Sequence, residues 1–96
     1  MVQPRETWVK ADFNGLFGDL LCLSHGDTVQ SLSGTEVRLV QGMVLTAAEP
    51  YDEDGWTPAW LVATGVVEVS PDWLTCKGSR WVLRLDEDGA HHVRDA

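Results

Sequence analysis

Short runs in which apolar and polar residues alternate, punctuated by Gly, Asn, Asp and Pro, fill most of this chain, and that pattern predicts strands rather than helices. The first two runs, 7–13 and 16–24, flank Asn14-Gly15, a dipeptide that favours a two-residue hairpin turn. Pairing Phe13 with Leu16 sets Ala11 opposite Gly18, Val9 opposite Leu20 and Thr7 opposite Cys22, which makes one face apolar. Lys10 then faces Asp19 on the other side. That second side also carries Trp8, Phe17, Leu21 and Leu23, four large apolar residues that call for a cover: the barrel curling over itself, an N-terminal or C-terminal segment, or a second copy of the chain, of which an oligomer face is preferred.

Further on, Thr28 to Gln30 reads as a strand, Ser31 to Gly34 as a loop, and Thr35 to Val40 as a half-exposed strand in which Val37 and Leu39 alternate with Glu36 and Arg38. Gln41-Gly42 breaks the pattern, and Met43 to Glu49 resumes it as the second strand of a short hairpin. Pro50 to Pro58 is the longest loop. Trp60 to Val69 is almost continuously apolar; its β-branched content and central Gly65 favour a strand bent at the glycine over a helix. Ser70-Pro71-Asp72 combines a capping residue, a proline suited to the first helical position and an acid in the first turn, so one short helical turn is predicted over 70–74.

Arg80 to Asp86 alternates again, with Trp81, Leu83 and Leu85 on one face and Arg80, Val82 and Arg84 on the other. It ends in Asp86-Glu87-Asp88-Gly89, the second copy of a tetrapeptide also found at Asp52-Glu53-Asp54-Gly55. Acid followed by glycine is turn chemistry, because glycine accepts positive φ and a short carboxylate bonds nearby backbone N–H groups. A three-residue loop with Gly89 left-handed would reverse the chain and pair Leu83 with Val93 and Leu85 with His91. About five to seven short antiparallel strands with little helix imply an all-β fold: a small, partly open or closed barrel, Src-homology-3-like as first choice and OB-like as second. At 96 residues one domain spanning 1–96 is expected.

Charge narrows the partners. Fifteen acids against seven bases give a formal net charge of −8, and the bases are scattered, so neither nucleic acid nor an anionic membrane is expected as a partner. No stretch within 1–10 resembles a signal peptide, so a cytoplasmic location is expected, and with it reduced thiols at Cys22 and Cys76.

Candidate chemistry is sparse. Aligning either acidic turn on an EF-hand places Pro50 and Leu61, or Arg84 and Asp95, at the first and twelfth positions, so the motif fails and no metal is assigned. Cys22 and His25 lie on opposite faces of a strand, which disfavours zinc. No catalytic residue and no cofactor is assigned, and the sequence leans away from an enzyme. The segment Tyr51, Asp52, Glu53, Asp54, Trp56 and Trp60 interleaves aromatic anchors with carboxylates, a composition suited to a basic protein partner. The expectation is a small acidic non-enzymatic interaction or ligand-binding module; a small metal- or thiol-dependent enzyme built on the histidines, cysteines or carboxylates is the alternative.

Overall fold

A computed structural model describes residues 7–24, 26–51, 59–74 and 80–94, and the description below is confined to them. Nine strands form: β1 (Val9–Lys10), β2 (Leu16–Phe17), β3 (Leu20–Ser24), β4 (Thr28–Gln30), β5 (Glu36–Arg38), β6 (Val44–Tyr51), β7 (Ala59–Val69), β8 (Trp81–Leu85) and β9 (His91–Arg94). Seven make one mixed sheet in the order β1-β6-β7-β8-β3-β2, with β9 also paired to β7, while β4 and β5 form a separate two-stranded sheet. The all-β expectation holds. The ladder is an open path with β1 and β2 at its ends, and β1 lies parallel to β6, with Val9 opposite Ala47.

The inner face carries the main core: Val9, Leu21, Leu45, Ala47, Ala63, Val67, Leu83 and Leu85 from the large sheet, closed over by Val29 and Leu39. Strand β7 shows why its sequence is apolar on consecutive positions rather than alternate ones. Ala63 and Val67 point into this core, and Val62, one residue out of phase, is equally buried in an outer cluster with Trp8 and Ala48. A strand covered on both faces needs apolar residues on both, so the two-residue period disappears from the sequence while the strand remains.

Two further features of that outer face are polar. Thr46 and Thr64 sit directly opposite each other, both buried, with their hydroxyl oxygens 2.8 Å apart in a hydrogen bond. Thr46→Val strands the Thr64 hydroxyl, and a destabilisation of about 1–3 kcal/mol is expected. A urea double-mutant cycle on Thr46→Val and Thr64→Val should show a coupling of at least about 0.5 kcal/mol; additive losses would mean the two hydroxyls do not act as a pair.

Several local expectations are corrected. The first hairpin turns at Gly18-Asp19, not at Asn14-Gly15: Phe17 pairs with Leu20 and Leu16 with Leu21. The cause lies in Asp12, whose carboxylate accepts from the Asn14 amide at 2.9 Å while its carbonyl accepts from Gly15 at 2.9 Å. This winds Phe13–Gly15 into a 3-10 turn, and Gly18, at φ +63°, supplies the reversal instead. Lys10 consequently reaches Gln30 rather than Asp19. Strands β5 and β6 do not pair with each other, since β5 pairs with β4 and β6 with β1 and β7. The single short turn expected over 70–74 does form, at residues 71–74, with Leu74 N–H donating to Pro71 C=O at 3.0 Å.

The second acidic tetrapeptide does turn with Gly89 left-handed, at φ +59°, yet the chain does not reverse there. β8 and β9 both run antiparallel to β7, β8 beside Gly65–Val69 and β9 beside Ala59–Val62. They are successive pieces of one interrupted strand. The Asp86 amide donates to Thr64 C=O at 2.9 Å, so the ladder carries on across the jog. Val93 therefore faces Trp60 and His91 faces Val62, and neither meets β8. Eleven residues of β7 offer enough edge for both pieces, and Val93 gains burial beside Trp60 in the outer cluster.

Candidate functional site

Cross-strand register builds a continuous row on the outer face. Phe17 is opposite Leu20, Leu20 opposite Arg84, Arg84 opposite Val66, and Val66 opposite Val44. Directly opposed residues share a face, so five strands contribute one side chain each to a single strip. Its apolar members are unusually open: Phe17 is 44% exposed, Val66 39% and Val44 50%. Leu20 is the exception. It is buried in a small cluster with Val82 and Leu74, and Cys22 packs against the same group. Leu74 belongs to the turn between β7 and β8, whose neighbouring residue Trp73 is 71% exposed, the most open large apolar side chain among the described residues.

Arg84 sits at the middle of the strip and is held there. Its Nε donates to Glu68 Oε2, its Nη2 lies 3.5 Å from Glu68 Oε1, and its Nη1 is 3.3 Å from Asp19 Oδ2. The hydrogen bond and charge of Glu68, with a smaller contribution from Asp19, push the guanidinium pKa further up. An arginine clamped between two carboxylates leaves the strip bordered by acid, in keeping with the −8 of the whole chain.

Of the binding residues expected from sequence, Asp52, Glu53, Asp54 and Trp56 lie outside the described residues. Tyr51 ends β6 opposite Ala59. Trp60 packs into the outer cluster with its ring edge-on to Trp8, centroids 6.2 Å apart and planes at 75°, and its buried indole N–H has no hydrogen-bond partner among the described residues.

The proposed oligomer face is not a face. Trp8 and Leu21 are buried inside the chain in two different clusters, Leu23 packs against the main core, and of the four residues Phe17 alone is exposed. Moving the hairpin from Asn14-Gly15 to Gly18-Asp19 removes the register that had put them together. The strip and Trp73 escaped sequence reasoning because their membership depends on pairings among β2, β3, β8, β7 and β6, none of which local pattern specifies.

Other chemistry-bearing residues are dispersed. Among the described residues, no group of three or more His, Cys, Asp or Glu side chains is placed to hold a metal ion. His91 Nδ1 is 3.4 Å from Gly89 C=O, His92 is exposed, and His25 and Cys76 lie outside the described residues. Cys22 corrects the reduced-thiol expectation: it is disulfide-bonded, and no free cysteine is present among the described residues. Its sulfur is then unavailable as a thiolate nucleophile. Comparison of the chain with protein-family models, with curated proteins and with solved structures finds no match.

Proposed function

We propose that this chain is a non-enzymatic interaction module that docks a basic protein partner on the outer-face strip. The observation that carries the reading is the exposure of Phe17, Val66 and Val44 on one outer-face row, bordered by Asp19 and Glu68, together with a 71% exposed Trp73 next in sequence to Leu74, which packs on Leu20 of that row. Exposed large apolar side chains gathered on one face and rimmed by charge fit a protein-binding patch, and tryptophan is prominent among the anchors of such patches. Net negative charge would speed encounter with a basic partner and make the association salt-sensitive. The aromatic and acidic segment Tyr51 to Trp60 is a second contact in this proposal. A cytoplasmic location also belongs to it, as a compartment in which a disulfide at Cys22 is transient.

Capture from a lysate of the source cells with immobilised protein tests the reading. Trp73→Ala alone is expected to weaken a captured basic partner about 30-fold, the loss typical of a hot-spot residue, with circular dichroism and melting temperature unchanged. Retained binding by the triple variant Val44→Ser, Val66→Ser, Trp73→Ala would overturn the strip as the docking surface. Loss of binding on Trp56→Ala alone would move it to the second contact.

A further inference from the structure

We propose that the open edge of β5 is a homodimer contact, on which β5 of a second copy of this chain pairs antiparallel about a twofold axis through Val37. Hydrogen bonds show which way the edge faces. Leu39 N–H donates to Asp27 C=O at 2.7 Å and Ser31 N–H to Thr35 C=O at 2.8 Å, and Val29 lies opposite Val37 between them. Residues 35, 37 and 39 therefore turn their peptide groups toward β4. Backbone direction alternates along an antiparallel strand, so the N–H and C=O of Glu36 and Arg38 point the other way. Among the described residues no strand takes that side of β5, and both residues are exposed. The ends of the large sheet, by contrast, are closed by their own chain. Beside β1, Leu32 N–H donates to Trp8 C=O at 2.8 Å and Val9 bridges Ser31, and at β2 the Leu16 N–H returns to Phe13 C=O in the 3-10 turn.

Charge selects the occupant. Charged side chains on an edge ordinarily deter a further strand. Here the two have opposite sign and stand two residues apart, and among the described residues neither joins an ion pair. A twofold axis through Val37 sets Glu36 opposite Arg38 of the second copy and Arg38 opposite its Glu36, so both cross-strand pairs attract. The backbone agrees with this register. Both charged pairs exchange N–H and C=O, and Val37 meets Val37 as the closer, non-hydrogen-bonded pair between them. A slip of two residues either way sets Arg38 against Arg38 or Glu36 against Glu36, so the side chains also fix the alignment.

The small sheet gains by this pairing. Two strands alone are marginal in water, and the contact joins β4 and β5 of each copy into one four-stranded sheet. Val37 keeps its place against the main core, and the charged pairs lie on the opposite face. The contact shares no residue with the outer-face strip and does not rest on the docking proposal.

Sedimentation equilibrium of the full-length protein should show a reversible dimer with a Kd on the order of 100 μM or tighter, in keeping with a small contact. Glu36→Arg and Arg38→Glu, each alone, put like charges opposite each other on both sides of the axis and should weaken the dimer about tenfold or more. An equimolar mixture of these two variants should form a heterodimer about as tight as the parent dimer, and the double variant Glu36→Arg, Arg38→Glu should dimerise by itself. Circular dichroism of each variant should match the parent, since both positions are exposed. In the parent, hydrogen exchange at the Glu36 and Arg38 amides should slow about threefold or more as concentration carries the protein into the dimer, while Val37, already bonded to β4, keeps its rate. A parent that stays monomeric up to about 1 mM, single variants that dimerise as tightly as the parent, or a mixture no tighter than either variant alone would each overturn the contact. A dimer lost on Trp73→Ala but untouched by the charge variants would overturn it too, by placing the second copy on the strip.

Discussion

Gly65→Ala is expected to cost on the order of 3 kcal/mol or more, at the upper end of what overpacking does, and to lower the melting temperature by about 12 °C or more, as scaling for a domain of this size implies. A Cβ built on Gly65 falls 2.1 Å from the Arg84 carbonyl oxygen, 2.7 Å from its carbon and 3.0 Å from Leu85 Cα. All three are backbone atoms of β8, so no rotamer change relieves the clash; β8 itself must move. That displacement would pull Leu83 off Val67 and Arg84 off Val66, and strain the Asp86 amide bond to Thr64. In a domain whose total stability is about 5–15 kcal/mol, such a loss is severe. Gly26→Ala is the matched control, because an added Cβ there meets nothing within 4 Å among the described residues, and it should stay within about 0.5 kcal/mol of the parent. Thermal and urea unfolding of the two variants decide the matter; a Gly65→Ala protein as stable as Gly26→Ala would mean that β7 and β8 do not approach so closely.

The same glycine illustrates what the sequence made legible and what it did not. Its position inside an apolar, β-branched run signalled a strand with a special backbone requirement, and β7 has it. The strand beginning at Thr28 was equally readable, because it has one buried and one exposed side and the period of two survives. Pairing was not readable. Asn14-Gly15 and Asp86-Glu87-Asp88-Gly89 are sound turn signals, and both turn, but Asp12 converts the first into a 3-10 turn and the length of β7 converts the second into a jog within a continuing edge. Turn chemistry fixes φ and local hydrogen bonds; which strand lies beside which is decided by long-range burial, as when Val93 joins Trp60 and Val62 rather than β8. The candidate strip depends on five such pairings, and so it was the least accessible part of the molecule to sequence reasoning.

Leu83→Ala is expected to destabilise the protein by about 3–5 kcal/mol, the range for a fully enclosed leucine whose cavity cannot collapse. Leu83 is fully buried, lies opposite Leu21 on β3 and Val67 on β7, and shares the inner core with both. Rigid strand backbones surround it on either side, so little relaxation is available to fill the void. The urea midpoint should fall with the slope unchanged, as for a loss of stability without a change in the surface exposed on unfolding; a cost below about 1 kcal/mol would contradict the assignment of Leu83 to the inner face. Its neighbour Val82 provides the sharper comparison. Val82 is just as buried, but on the outer side, in the cluster that includes Leu74. Val82→Ala deletes one carbon fewer than Leu83→Ala and is expected to cost less, so a Val82→Ala penalty equal to or above that of Leu83→Ala would contradict the ranking of the two faces.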